Sequence, residues 1–268
     1  MTIITLLHRN VLHQAAHDEP YLKRYHSIEL TLLDHYRQLY QLLPIYEVLE
    51  EKLKAKNFTY QLPEKHRYLL ARSDEIRNDL MFLRPRVLSQ GGECVLTLES
   101  THLYLKAIEA MTSDHDIFIH FLVRVLGDMF GGNGLKKCMT DLCQAQHLAA
   151  EKAVNFYTFK EGSLKEFSQW LNEFAFEKET VDAPAKTAFQ YNIDILKALE
   201  TTRKTFVNVT PDLSWMDDSA SALPTLGSIT KNMNTFFKAH KKEIVCGSVL
   251  LLGTAAFTLN QYYKNMSK

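Results

Sequence analysis

The chain has 268 residues, 46% of them hydrophobic, with 31 basic and 31 acidic side chains and a formal net charge of zero. A chain of this length forms one sizeable domain, or one domain with an appendage, and can enclose a pocket large enough for a cofactor. The absence of net charge argues against nucleic acid as a partner, because no overall positive field would attract it.

Apolar side chains recur at intervals of three and four residues along most of the chain, which predicts α-helices. The segment 5–54 fits two helices that are broken near Asp18, Glu19 and Pro20. Pro85 and the pair Gly91 and Gly92 indicate a turn. Further helices are predicted over 65–83, 97–111, 122–137, 142–174 with an interruption at 161–162, and 185–200. The predicted fold class is therefore all-α.

The segment 122–137, LVRVLGDMFGGNGLKK, holds four of the ten glycines although its pattern is helical. Each glycine inside a helix costs about 1 kcal/mol relative to alanine, so packing or function should offset the penalty. Gly127 and Gly131 are four residues apart and leave one helix face without side chains. Arg124 and Asp128 have the same spacing. A tight helix crossing and an ordinary surface ion pair are the simpler interpretations of these two patterns.

The first 26 residues contain four histidines, at positions 8, 13, 17 and 26. His13 and His17 are one helical turn apart, but such a pair without further ligands is more often incidental. Glu99 and His102 have the Glu-x-x-His spacing of di-iron proteins, which use that motif twice. No second copy occurs in the sequence, which argues against a di-iron site.

Together, the segments VRVLGDMFGG at 123–132 and LKK at 135–137 resemble the distal-helix signature of heme oxygenases, in which a glycine-rich helix lies across the heme face. The segment LHQAAH at 12–17 is similar to the proximal helix of the same family. The resemblance implies that His13 is the axial iron ligand and that the small Ala16 lets the porphyrin ring lie close. It also implies one multi-helical domain with heme between the two helices.

The resemblance extends to the remaining site residues. It implies catalytic roles for Tyr46, Arg124, Gly127 and Asp128, which would hold ordered water on the distal side, and heme contacts for the residues His13, Ala16, Gly127, Gly131, Phe189 and Asn192. From pattern alone, Phe189 would be an ordinary core residue. Two positions depart from the family pattern: Phe130 stands where serine is usual, and His17 stands where an acidic residue is common.

The activity implied by the resemblance is the oxidation of heme to biliverdin, CO and ferrous iron, with heme as both substrate and cofactor. The reaction would use O₂ and electrons from a flavoprotein reductase, such as the NADPH-dependent cytochrome reductase, or from a ferredoxin. The alternative is an inactive heme-binding or heme-sensing protein of the same fold. A helical adaptor without a cofactor is a third possibility.

The C-terminal part has a different composition. Residues 1–209 would form the catalytic domain, and 210–243 a linker rich in proline, serine and acidic residues. Residues 244–260 would form a membrane anchor, since 244–259 are uncharged and apolar, close to the length needed to span a bilayer. Lys238, Lys241 and Lys242 precede this segment and place the catalytic domain on the cytosolic side of a tail-anchored protein. A buried core helix is the alternative.

Overall fold

A computed structural model describes residues 2–27, 29–89 and 95–203 of the chain. These residues form helices and loops without any β-strand, which agrees with the predicted all-α class. The α-helices in chain order are α1 (Ile3–His8), α2 (Val11–His17), α3 (Pro20–His26), α4 (Leu32–Leu53), α5 (Arg72–Ser89), α6 (Glu99–Ala110), α7 (Asp114–Ala145), α8 (Ser163–Leu171) and α9 (Lys178–Thr202). Two short 3₁₀ segments are Glu64–Ala71 and Ala150–Lys152.

The N-terminal region contains four helices where the sequence predicted two. The predicted break near Asp18 is present, and Pro20 opens α3. A second break separates α1 from α2, because the Asn10 side chain accepts a hydrogen bond from the backbone N–H of Leu12 at 3.0 Å and caps α2. A third break precedes α4, which begins with a reciprocal capping box between Thr31 and Asp34.

The core lies where α4, α7 and α9 meet, with α5 packed along α4 and α6 between α4 and α9. Side chains such as Leu39, Leu49, Phe118 and Val125 are fully excluded from solvent. Burying a side chain of this size stabilises the fold by about 1.5–3 kcal/mol. The long helices α4 and α7 therefore form the rigid frame on which the shorter helices rest.

The predicted helix over 65–83 is in fact two segments. A 3₁₀ segment ends at a kink, where Leu70 has φ −94° and ψ 20°, and α5 starts at Arg72. The turn does not begin at Pro85 as predicted, because α5 continues to Ser89, whereas Gly91 and Gly92 lie outside the described residues. Proline removes the hydrogen bond to the carbonyl four residues earlier. That residue is Met81, which is 62% exposed, so the missing hydrogen bond lies on the solvent-facing side of α5.

The helix predicted over 142–174 is interrupted much earlier than 161–162. Helix α7 ends at Ala145, and His147 then adopts a left-handed backbone with φ 56°. Helix α8 starts only after Gly162, whose φ of 75° suits a residue without a side chain. The residues between them include the 153–159 loop, which packs against α5 and α7.

The predicted linker at 210–243 and anchor at 244–260 lie outside the described residues, so the domain boundaries stay predictions. Within 2–27, 29–89 and 95–203, no helix is both long and apolar enough to cross a membrane. Cys138 and Cys143 are free thiols.

Candidate functional site

A cleft with two lobes lies between the N-terminal helices α1 and α2 on one side and α7 and α9 on the other. The larger lobe has a volume of about 560 Å³ and the smaller about 380 Å³. Both volumes fall in the range of small-molecule sites. The lobes share the lining residues His13, Val123, Gly127, Phe130 and Phe189.

His13 lies on α2 and faces both lobes of the cleft. Its ring contacts Phe189 edge-on, with 5.8 Å between ring centroids, and the His8 ring lies 4.9 Å away. Burial lowers the pKa of His13, and the neighbouring His8 and His17 lower it further. The imidazole is therefore kept neutral, which is the form that binds a metal ion. Ala16, one turn along, lines the smaller lobe.

The glycines of α7 serve two different purposes. A Cβ atom added to Gly127 or Gly131 would meet no atom within 4 Å, because both positions face the cleft. A tight helix crossing at these two glycines is therefore wrong. A Cβ atom added to Gly132 would lie 3.0 Å from Cδ1 of Tyr157, so this glycine lets the 153–159 loop pack closely.

A chain of hydrogen bonds runs along the floor of the smaller lobe. The hydroxyl of Tyr46 donates to Oδ2 of Asp128 at 2.5 Å, and Nη2 of Arg124 donates to Oδ1 of Asp128 at 2.6 Å. Nη1 of Arg124 donates to the side-chain oxygen of Asn192 at 2.6 Å, and Asn192 donates to the carbonyl of Ala188 at 2.7 Å. Asp128 is only 4% exposed, so the interpretation as a surface ion pair is wrong.

Every site residue predicted from the sequence lies at this cleft. His13, Ala16, Arg124, Gly127, Asp128, Gly131, Phe189 and Asn192 line it, and Tyr46 lies behind Asp128. A comparison with protein-family models matches residues 10–198, well over half of the chain, to the heme oxygenase family.

The chain belongs to the heme oxygenase family. Heme binding is therefore expected of this protein.

Solved structures of other heme oxygenases share the fold. The heme oxygenase of Leptospira interrogans has 24% sequence identity and a TM-score of 0.61, over 74% of this chain and 100% of that one. Heme oxygenase-1 of the cyanobacterium Synechocystis, solved in complex with heme, has 21% identity and a TM-score of 0.60, over 75% of this chain and 94% of that one. Heme oxygenase-2 of Synechocystis, solved with heme and NO, has 19% identity and a TM-score of 0.57, over 74% of this chain and 84% of that one. A comparison with curated proteins finds no match.

Burial and neighbouring groups together determine the protonation of the polar side chains at this site. Burial and the adjacent Asp128 raise the pKa of Tyr46 well above its ordinary value, so the phenol keeps its proton. Burial alone would lower the pKa of Arg124, but the charge of Asp128 and its hydrogen bond, together with Tyr46 and Tyr157, offset this and raise the pKa. The site thus holds a buried Arg124–Asp128 ion pair beside a neutral phenol. A carboxylate has about four acceptor positions, so Asp128 can also bind a water molecule in the cleft.

The cleft suits a flat, largely apolar ring. The side chains that meet in it are mostly apolar, including Leu122, Val123 and Leu126, and the α7 face is open at Gly127 and Gly131. His13 supplies one neutral imidazole from α2. These residues fit heme, whose iron takes an axial histidine and whose face needs a surface without side chains.

Few of the cationic side chains that the structure describes line the cleft where they could bind the charged groups of heme. Arg9 lines the larger lobe and is exposed to solvent, whereas the nearby Leu6 and Asn10 are buried. Ser168 and Asn172 are not cationic either: the Ser168 hydroxyl donates to the carbonyl of Leu164, and Asn172 is an exposed amide. Arg9 is thus the one lysine or arginine lining the larger lobe in the described part of the chain.

Sequence reasoning missed other residues that line the cleft, most clearly Gln38 of α4, which lines the smaller lobe. Gln38 gave no signal because its position within α4 fits a plain amphipathic helix. The sequence did raise Glu99 and His102 as a di-iron motif, and both side chains are exposed. No group of three or more His, Cys, Asp or Glu side chains able to hold a metal ion occurs among the described residues.

Proposed function

We propose that this protein is an active heme oxygenase that converts heme to biliverdin, CO and ferrous iron, using O₂ and electrons from an external donor. The observation that supports this most is the convergence on one cleft of a neutral histidine, a glycine face and a buried carboxylate network. Heme, when bound, supplies the iron that activates O₂.

In this proposal His13 binds the heme iron from α2, and Phe189 holds the imidazole by its edge contact. Desolvation keeps His13 neutral, so binding requires no loss of a proton. Gly127 and Gly131 admit the porphyrin close to the α7 backbone and keep bulky acid or base groups away from the iron.

Asp128 would act through water held in the smaller lobe. Its two oxygens are oriented by Tyr46 and Arg124, and Arg124 is fixed in turn by Asn192. A carboxylate fixed in this way holds water in one place and can pass a proton toward O₂. Delivery of protons by water, without a side chain next to the iron, favours oxidation of the porphyrin itself.

The membrane anchor and the cytosolic orientation belong to the same proposal and rest on the sequence of 210–260 alone. The electrons would come from a flavoprotein reductase or a ferredoxin that docks on the catalytic domain. Neither type of donor is favoured by a contact within the described residues.

The test uses the full chain with one equivalent of hemin, followed by absorption spectroscopy after addition of ascorbate under air. We expect a Soret band that decays into the broad red absorbance of biliverdin. The variant His13→Ala should lose the spectrum of a histidine-ligated heme. A Soret band that persists with the reductant would instead identify a heme-binding protein without turnover.

A further inference from the structure

A second polar contact borders the smaller lobe, separate from the Asp128 network. Gln38 is buried on α4, lines the lobe and donates from Nε2 to the hydroxyl of Tyr157 at 3.3 Å. Tyr157 is fully buried and does not itself line the cleft. The amide therefore has one side toward the ligand space and another held by a phenol in the core.

Tyr157 is tightly fixed against the catalytic helix. Its ring lies against Gly132 of α7, where even a methyl group would be 3.0 Å from Cδ1. The ring centroid of Phe156 is 4.9 Å from that of Tyr157, and Phe156 in turn contacts Tyr46 at 5.3 Å. Gln38 and Asp128, which both line the smaller lobe, are thus supported by the same packed aromatic residues.

The 153–159 loop that carries Tyr157 is held by two buried charged residues of α5. Asp79 accepts hydrogen bonds from the backbone N–H and side-chain amide of Asn155, both at 2.8 Å, and from the N–H of Phe156 at 2.9 Å. Arg72 donates to the carbonyls of Asn155 and Phe156 and lies over the Phe159 ring at 4.5 Å. Many fixed contacts on so short a loop mean that the Tyr157 hydroxyl has one position.

We propose that Gln38, held by Tyr157, is a second positioning residue for heme oxidation, orienting water or substrate in the smaller lobe from α4 while Asp128 acts from α7. This rests on the proposed function, because it assigns Gln38 a role in that reaction. The physical reason is that Gln38 borders a mostly apolar lobe with a side chain that has two donors and an acceptor oxygen, more than the bond to Tyr157 uses, and that this bond helps to fix its rotamer.

The test compares Gln38→Leu, Tyr157→Phe and the double variant in the full chain. Each single variant should lower the rate of biliverdin formation by about two- to tenfold, the range expected for one hydrogen bond. Each should also move the pH at which the spectrum of the ferric hemin complex changes from its acid to its alkaline form, by about half a unit. The double variant should lose no more than either single one, because Tyr157 acts through Gln38.

None of these variants replaces another charged or titratable residue near Tyr157. Those residues are Tyr21, His35, Asp79, Arg124 and Asp128. Tyr104→Phe is the matched control, since it also removes a buried hydroxyl, bonded to His120 at 3.1 Å, but lines neither lobe. It should leave the spectral transition unchanged.

A spectral transition and a rate equal to those of the wild type in a folded Gln38→Leu variant would overturn the positioning role. Gln38 lies at the edge of the cleft, so this variant keeps the test decisive if Tyr157→Phe fails to fold. If the wild type binds hemin but forms no biliverdin, the proposed function falls, and the spectral transition alone decides the role of Gln38.

Discussion

Asp128 is the single side chain on which the proposed chemistry depends most. We expect Asp128→Ala to retain hemin but to lose biliverdin formation by at least about 100-fold, the usual contribution of a positioned proton donor. Measurement of the hemin spectrum and of biliverdin yield with ascorbate checks both parts. The variant should also be less stable by about 3–5 kcal/mol, because Arg124 would be left as a buried charge without its partner.

Asp141→Ala is the control for this prediction. Asp141 lies on the same helix α7 and is exposed, so its removal should change neither hemin binding nor turnover. A wild-type biliverdin yield from hemin-loaded Asp128→Ala would refute the role of Asp128.

Phe130 is a large aromatic residue that is 53% exposed although it lines both lobes of the cleft. We expect it to cover one edge of bound heme. Phe130→Ser should therefore weaken hemin affinity by roughly tenfold, from the loss of apolar contact, and change the proportions of the biliverdin isomers. Transfer of hemin to a scavenging apoprotein measures the first effect, and chromatography of the products measures the second.

Val11→Ser provides the comparison for Phe130→Ser. Val11 is 72% exposed on α2 but lines neither lobe, so replacing it should leave hemin transfer unchanged. Equal transfer rates from the two variants would show that Phe130 does not touch the ligand.

Single residues of the site could be predicted from the sequence where a motif identifies them, as with Arg124 and Asp128. Asn192 is the second partner of Arg124, a contact between residues 68 apart in sequence that the motif did not predict. Gln38 and Tyr157 could not be predicted, because their contact joins α4 to a loop 119 residues away and neither has a local pattern. Contacts of this kind depend on how helices pack, which one sequence does not encode in a short motif.

At the scale of the helix, three of the four glycines of α7 should respond differently to alanine. Gly127→Ala and Gly131→Ala place a methyl group in the open cleft, so the apoprotein should keep or gain up to about 1 kcal/mol of stability. Both should bind hemin more weakly. Gly132→Ala should instead destabilise the apoprotein by about 1–3 kcal/mol, because the methyl group meets Tyr157.

Thermal unfolding of the three apoproteins and hemin titration check these expectations together. Equal losses of stability in all three would mean that Gly127 and Gly131 are packing positions and not part of a ligand face.

Helix positions were predicted well from periodicity, but helix ends were not. The extra breaks at Asn10 and before Leu32 result from side chains that cap the backbone, which apolar spacing does not report. Pro85 was misread because a proline on the exposed side of a helix removes one hydrogen bond without ending the helix here. Which side of α5 is exposed is decided by packing against α4.

For the whole molecule, buried titratable groups predict loss of stability in acid. Burial lowers the pKa of both His35 and His120 to about 4, below the ordinary value of 6.5. The unfolded chain therefore takes up protons first, and the stability that each contributes above pH 6.5 is lost as the pH falls toward 4. Each histidine should account for roughly 3 kcal/mol over this window.

Asp79 has the opposite effect on the pH dependence of stability, because burial raises its pKa to about 6. Its contribution is greatest below its ordinary pKa and declines as the pH rises through 6, so it offsets part of the loss. Urea unfolding of the apoprotein from pH 4 to pH 8 measures the free energy of unfolding, which contains the contributions of all three residues. His35→Gln should flatten the curve, whereas replacing the exposed His102 by Gln should leave its slope unchanged. A free energy of unfolding of the wild type that increases as the pH falls would contradict the prediction.

Helix α2 carries the proposed iron ligand, yet none of its residues is buried. It is held mainly by Asn10, which caps it and donates to Asp182 of α9 at 3.3 Å, and by its packing against α9. Local opening of such a helix needs little free energy compared with global unfolding. Local opening of α2 would therefore expose the cleft while α4 and α7 stay packed. In the proposed reaction, rigid heme would enter and the longer, flexible biliverdin would leave by this opening, at the loss of only a few side-chain contacts.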